Sequence, residues 1–249
     1  MVDEQETGLA AVEVPWGARE GAYGCLTAIA LFIGVGVIGG VIAFAWMQAD
    51  LPSISTDIVV QVVFALEALL LLPPWLFGPR RYRLSWESLG FRGAPAGRVA
   101  LVTVVGFGVV LLANAGWTLI MDALGLELTE QPNPLPLFGE GIGGLLMALF
   151  LGAVVAPVAE EVFFRGFLYP GLKSSWGFVA AMIVSSAIFA VIHGFTAVIP
   201  PIFVIGIVLV WAYEYTGSLW PPILIHGAMN GLAFLSAYVV GTTGMDLGF

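Results

Sequence analysis

The chain has 249 residues, of which 59% are hydrophobic and only 10% charged, and a formal net charge of −9. Soluble domains carry roughly 45–50% apolar and about 25% charged residues, so this chain lacks the polar surface of a water-facing globule. With lipid as solvent the backbone must satisfy itself in helices or closed barrels; the apolar runs approach the ~20 residues of a membrane helix and lack the ~10-residue alternation of barrel strands, which predicts an all-α protein.

Residues 1–24 are expected to form a cytoplasmic tail, with Asp3, Glu4, Glu6, Glu13 and Glu20 against a single Arg19. A secretory signal would begin basic and end at a small-residue cleavage site, so this start is read as mature sequence. Cys25 is the only cysteine and can form no internal disulfide. Seven segments are expected to cross or enter the bilayer: 25–47, 58–77, 99–121, 141–169, 176–198, 202–215 and 219–240. The fourth is long enough to tilt or protrude, and the sixth, placed after Pro200 and Pro201, is short. No repeat or low-complexity linker divides this polytopic transmembrane helical bundle.

The bases set the expected orientation. Arg80, Arg81, Arg83, Arg92 and Arg98 lie between segments two and three, and Arg165 and Lys173 follow in and after segment four. The positive-inside rule places that loop, with Arg19, in the cytoplasm. The opposite loops hold Asp50, Asp57, Asp122, Glu127, Glu130 and Glu140. The chain is thus expected to be a multi-pass cell-membrane protein with a cytoplasmic N-terminus. Trp46, Trp75, Trp117, Trp176 and Trp220 fall near segment ends, as interfacial anchors do. Nothing in the charge pattern suggests nucleic acid.

Polar groups inside the C-terminal segments carry the functional signal, because an ionisable side chain at a helix centre costs about 2.5–3.5 kcal/mol or more. Segment four reads Val158-Ala159-Glu160-Glu161-Val162-Phe163-Phe164-Arg165, segment five ends Phe189-Ala190-Val191-Ile192-His193, and segment seven contains His226-Gly227-Ala228-Met229-Asn230. Glu161 and Arg165 are four apart and share a helix face, as an ion pair requires. Glu160 is turned by about 100° from that face and points to other helices. Any one of these groups alone reads as a hydrogen bond between helices. Glu160, His193, His226 and Asn230 together, with both histidines of the chain, read as a hydrolytic set. A carboxylate shielded from bulk water can act as general base, with a histidine orienting the water. Further donors can stabilise an oxyanion. No His-Glu-x-x-His and no Gly-x-Ser occurs, and no aspartate lies within an expected segment. Glu67, within segment two, is open to three readings between which the sequence does not choose: a protonated acid, a cavity-lining group or the partner of a base.

Glu160-Glu161-x-x-x-Arg165, Phe189-x-x-x-His193 and His226-x-x-x-Asn230, in that order, resemble the three motifs of the CAAX protease and bacteriocin-processing (Abi, CPBP) family. The resemblance covers roughly 140–235, and Leu84-Ser85-Trp86-Glu87-Ser88-Leu89-Gly90-Phe91 looks like the family's lead-in. It implies an intramembrane endopeptidase whose catalytic core spans 141–240, with 25–140 as N-terminal transmembrane helices. Glu160 and His193 would activate water, His226 and Asn230 would stabilise the oxyanion, and Glu161 and Arg165 would support the site. Relatives act on CAAX tails or in peptide maturation and immunity, so the expected partners are a membrane-associated protein or peptide substrate and the lipid bilayer. No metal or other cofactor is expected, zinc on Glu160, His193 and His226 being the less favoured reading. Two other functions compete: a non-enzymatic immunity or scaffold protein, and a proton-coupled transporter, which would more often show an inverted repeat.

Overall fold

The structure, a computed structural model, describes residues 13–48, 56–126, 135–193 and 199–243. The acidic residues Asp3, Glu4 and Glu6, together with Asp50, Glu127 and Glu130, lie outside the described residues, as do 194–198 and the side chains of Trp46 and Asp57. Among the described residues seven helices form the bundle: α1 (Ala18–Gln48), α2 (Ile58–Tyr82), α3 (Ala96–Ala123), α4 (Gly141–Trp176), α5 (Phe178–Ile192), α6 (Ile199–Thr216) and α7 (Trp220–Thr243). Among the described residues six are long and apolar enough to cross a membrane. The chain is an all-α, multi-pass membrane protein.

Helix α5 is the exception to the expected spans, with 15 residues ending before His193. At about 1.5 Å per residue it is shorter than the ~30 Å hydrocarbon layer. α4, by contrast, runs 36 residues, well past the expected end at 169. α6 takes Pro200 and Pro201 into its first turn, where a missing N–H costs no helical hydrogen bond. Arg165 is also not at a membrane face: it lies within α4 with its side chain 1% exposed. α1 begins at Ala18 rather than 25, and Trp16 before it is buried, its indole N–H donating to the Phe167 carbonyl at 3.0 Å.

Burial locates the centre of the bundle. In their most apolar stretches 44% of α4 and 50% of α6 are buried, against 6% of α1. α4 and α6 therefore face protein on most sides, while α1 shows Leu26, Ile29 and Ile33 to the surroundings. The core joins Val162, Phe167 and Leu168 of α4 to Phe189 of α5, Leu209 and Tyr213 of α6, and Ile225 of α7.

One tight connection sets the height of the site. Gly177, at φ +81°, links α4 to α5 in a backbone conformation that side chains other than glycine's resist. Glu160 and His193 stand at nearly equal chain distances on either side of it. At about 1.5 Å of rise per residue, both reach roughly 25 Å from the turn and meet at the same level.

Candidate active site

Three departures from regular α-helix surround the meeting point. α2 tightens to a 3₁₀ turn at Glu67–Leu71, and α4 widens to π-helix at Leu151–Val155 and Val162–Leu168. The regular stretch Ala156–Glu161 lies between the two π segments and carries both glutamates. Such irregular turns leave backbone groups available to other partners and recur at functional sites. The 3₁₀ turn of α2 packs directly on Ala156–Glu161.

Adjacent in sequence, Glu160 and Glu161 point into different surroundings. Glu161 Oε1 accepts from Arg165 Nη1 at 2.7 Å and from His226 Nδ1 at 2.9 Å, with the carboxylate wholly buried. Arg165 also donates to the Gly206 carbonyl of α6 at 3.3 Å, and its guanidinium lies 4.3 Å from the Phe189 ring centre. One buried carboxylate thus answers one guanidinium and one imidazole N–H, which ties α4 to α7 while α6 holds the arginine. Breaking such a pair strands a charge and costs about 3–5 kcal/mol.

Glu160 faces His193. Its Oε2 is 3.6 Å from His193 Nε2 and is buried without a hydrogen-bond partner. The other ring nitrogen, Nδ1, donates to the Phe189 carbonyl at 2.7 Å. That bond fixes the tautomer: a neutral His193 carries its proton on Nδ1 and turns the Nε2 lone pair toward Glu160. Two acceptors facing each other need a proton between them or a water beside both. The pair is therefore built to hold a proton or a water molecule.

The pair opens on a cavity of about 500 Å³ between α1, α2, α4 and α5. Glu67, Glu160, His193 and Cys25 are its titratable lining residues, and Ile29, Phe32, Leu70, Phe163, Phe164 and Ile192 supply apolar wall. Glu161, Arg165, His226 and Asn230 do not line it. Asn230 on α7 donates Nδ2 to the Gly152 carbonyl at 2.8 Å, in the first π segment of α4. The six residues singled out in the sequence thus form two groups: a cavity pair, and a buried tie between α4 and α7. Phe189 stands between them, with ring centres 4.5 Å from His193 and 5.7 Å from His226.

The division bears on metal binding. Among the described residues no three His, Cys, Asp or Glu side chains gather closely enough to hold an ion. Glu160 and His193 line the cavity, while Nδ1 of His226 is engaged by Glu161. Of the three readings open for Glu67, the structure places it on the wall of this same cavity; the position of Phe189 between the two histidines escaped the sequence reading.

The chain matches, over residues 142–232, the family model described as type II CAAX prenyl endopeptidase Rce1-like; the match spans both glutamates, both histidines and Asn230 and supports the resemblance to the CAAX protease and bacteriocin-processing family. The chain is 27% identical over 163 residues, 63% of its length, to the membrane-embedded CAAX protease MroQ of Staphylococcus aureus. Shorter matches, each over 34% of this chain, are to YdiL of Bacillus subtilis at 27% identity and YxdF of Lactococcus lactis at 22%. The matches span 59%, 34% and 48% of these relatives, respectively. No solved structure matches the chain.

Proposed function

We propose that this protein is an intramembrane endopeptidase that hydrolyses membrane-associated proteins or peptides with a water activated by Glu160 and His193. The observation carrying this reading is the Glu160–His193 pair, 3.6 Å apart on the wall of a 500 Å³ cavity, with the histidine tautomer pinned by Phe189. A water seated beside Oε2 and Nε2 gives its proton to the Glu160 carboxylate as its oxygen attacks the scissile carbonyl carbon. The tetrahedral intermediate collapses, the C–N bond breaks, and the proton passes from Glu160 to the leaving amine. The products are a new carboxylic acid and a new amine, which exchange the remaining proton to give carboxylate and ammonium, and the enzyme is restored.

The oxyanion needs donors. Asn230 keeps a second amide hydrogen beyond the one given to Gly152. His226 spends its Nδ1 proton on Glu161, so it can donate from Nε2 only as an imidazolium. We assign both to the oxyanion, with α7 closing toward the peptide as it binds; catalytic hydrogen bonds often tighten only in the complex. Glu161 and Arg165 are positioning residues that hold Glu160 toward the cavity.

The reaction needs no metal in this scheme. The test uses the purified full chain in lipid nanodiscs with a fluorogenic peptide library. Glu160→Gln and His193→Asn should each lower cleavage by at least about a hundredfold, a typical acid–base contribution. Chelators should leave it unchanged. Loss of cleavage together with stoichiometric zinc, restored by adding zinc back, would contradict the scheme.

A further inference from the structure

We propose that Glu67 is the specificity-determining residue of the cavity: it receives the amine or guanidinium of a lysine or arginine side chain flanking the cleaved bond. The proposal rests on the protease reading and deepens it.

Four observations converge on Glu67. It lines the same cavity as Glu160 and His193, and its 3₁₀ turn packs on the stretch that carries Glu160. One of its carboxylate oxygens, Oε2, is buried with no hydrogen-bond partner. A buried acceptor left in that state is costly and is relieved by a donor from whatever fills the cavity. No lysine or arginine lines the cavity, and Arg165, nearest in sequence to the site, is engaged by Glu161 and Gly206. Two carboxylates sharing one apolar enclosure repel each other, and a cation brought by the occupant offsets that repulsion.

The walls sharpen the choice of ligand. Ile29, Phe32, Leu70 and Phe163 make the cavity largely apolar around its acidic groups. Lysine and arginine match such a lining, because their aliphatic stems pack on apolar surface while the charged head reaches a polar partner. A cavity of about 500 Å³ falls within the size range of small-ligand pockets, enough for a few side chains and not a folded domain.

The experiment uses matched peptides that differ at one position only, lysine against norleucine, with the full chain in nanodiscs. Uncleavable versions, with a reduced amide at the candidate bond, measure binding to Glu160→Gln protein by fluorescence anisotropy. Cleavable versions measure kcat/KM on wild type. The lysine peptide should bind and be cleaved at least about tenfold better, as a charged hydrogen bond warrants. Glu67→Gln should bring both ratios near one, and Glu67→Met, of similar volume, should do the same. Equal or absent binding of the two peptides would overturn the proposal, as would a lysine preference that survives both variants. Lysine-dependent binding through Glu67 with no cleavage would sustain the recognition site and refute the protease reading instead.

Discussion

Glutamine at position 160 keeps the shape of the side chain and removes its capacity to take a proton. Turnover should fall by at least about a hundredfold, while folding survives, because the buried Oε2 of Glu160 makes no hydrogen bond whose loss would strand a partner. Glutamine at 161 does something different. Arg165 and His226 both donate to Glu161 Oε1, so Glu161→Gln strands the guanidinium inside the bundle at a cost of about 3–5 kcal/mol. Its first symptom should be a lower thermal unfolding midpoint in detergent, shared by Arg165→Met and partly relieved in the double variant. Equal destabilisation by Glu160→Gln and Glu161→Gln would contradict this division. The two glutamates could be told apart in the sequence because helical geometry alone separates neighbours by about 100°. The second partner of Glu161 could not, since His226 lies on α7 and only packing brings it within 2.9 Å. Glu67 was legible as an oddity within an apolar run, but its place in the cavity required the tertiary fold.

The junction of α4 with α7 shows how helix packing depends on the π segments. A Cβ at Gly227 would lie 2.6 Å from the Ala153 carbonyl oxygen, whereas the nearest atoms at Gly231 are 3.8 Å away. A backbone carbonyl cannot swing aside as a flexible side chain does. Gly227→Ala should therefore push α7 off the first π segment, costing about 1–3 kcal/mol and lowering turnover with it. Gly231→Ala, one turn along the same helix, should leave both nearly unchanged. Comparing melting midpoints and cleavage rates of the two variants checks this, and equal effects would contradict the close approach. Of the helices, the long apolar ones were readable because length and hydropathy suffice to mark them. The π segments Leu151–Val155 and Val162–Leu168 each precede a proline, Pro157 and Pro170, which lacks an N–H and crowds the carbonyl four residues back; a disturbance of the helix was readable there, its π form was not. α5 was drawn too long because its apolar character continues past His193, where the helix stops.

Taken as one body, the bundle gathers its bases at one end, apart from the buried Arg165. Arg81 approaches Glu20 at 3.9 Å, Lys173 pairs with the buried Glu214 at 2.6 Å, and Ser218 bonds the Arg92 carbonyl at 2.8 Å. The start of α1, the α2–α3 connection, the Gly177 turn and the α6–α7 turn thus share a level. We propose that this end is cytoplasmic, as the positive-inside rule requires. With Cys25 replaced, since it lines the cavity, an Arg83→Cys variant should resist an impermeant thiol reagent in intact cells and react in inverted vesicles. Labelling from outside would reverse the orientation. The number of helices was foreseeable from the apolar runs, and the polar groups that interrupt them from the sequence itself; the split into a cavity pair and a buried tie was not, because it depends on which side chains share a void.

Terminal proteomics shows whether cleavage of peptide bonds in the membrane depends on Glu160, as proposed. Membranes from cells with wild-type protein are compared with membranes holding Glu160→Gln at equal abundance. The account predicts new peptide termini, in membrane-associated proteins or peptides, that depend on Glu160. Identical termini in the two membranes, with both proteins folded, would contradict it.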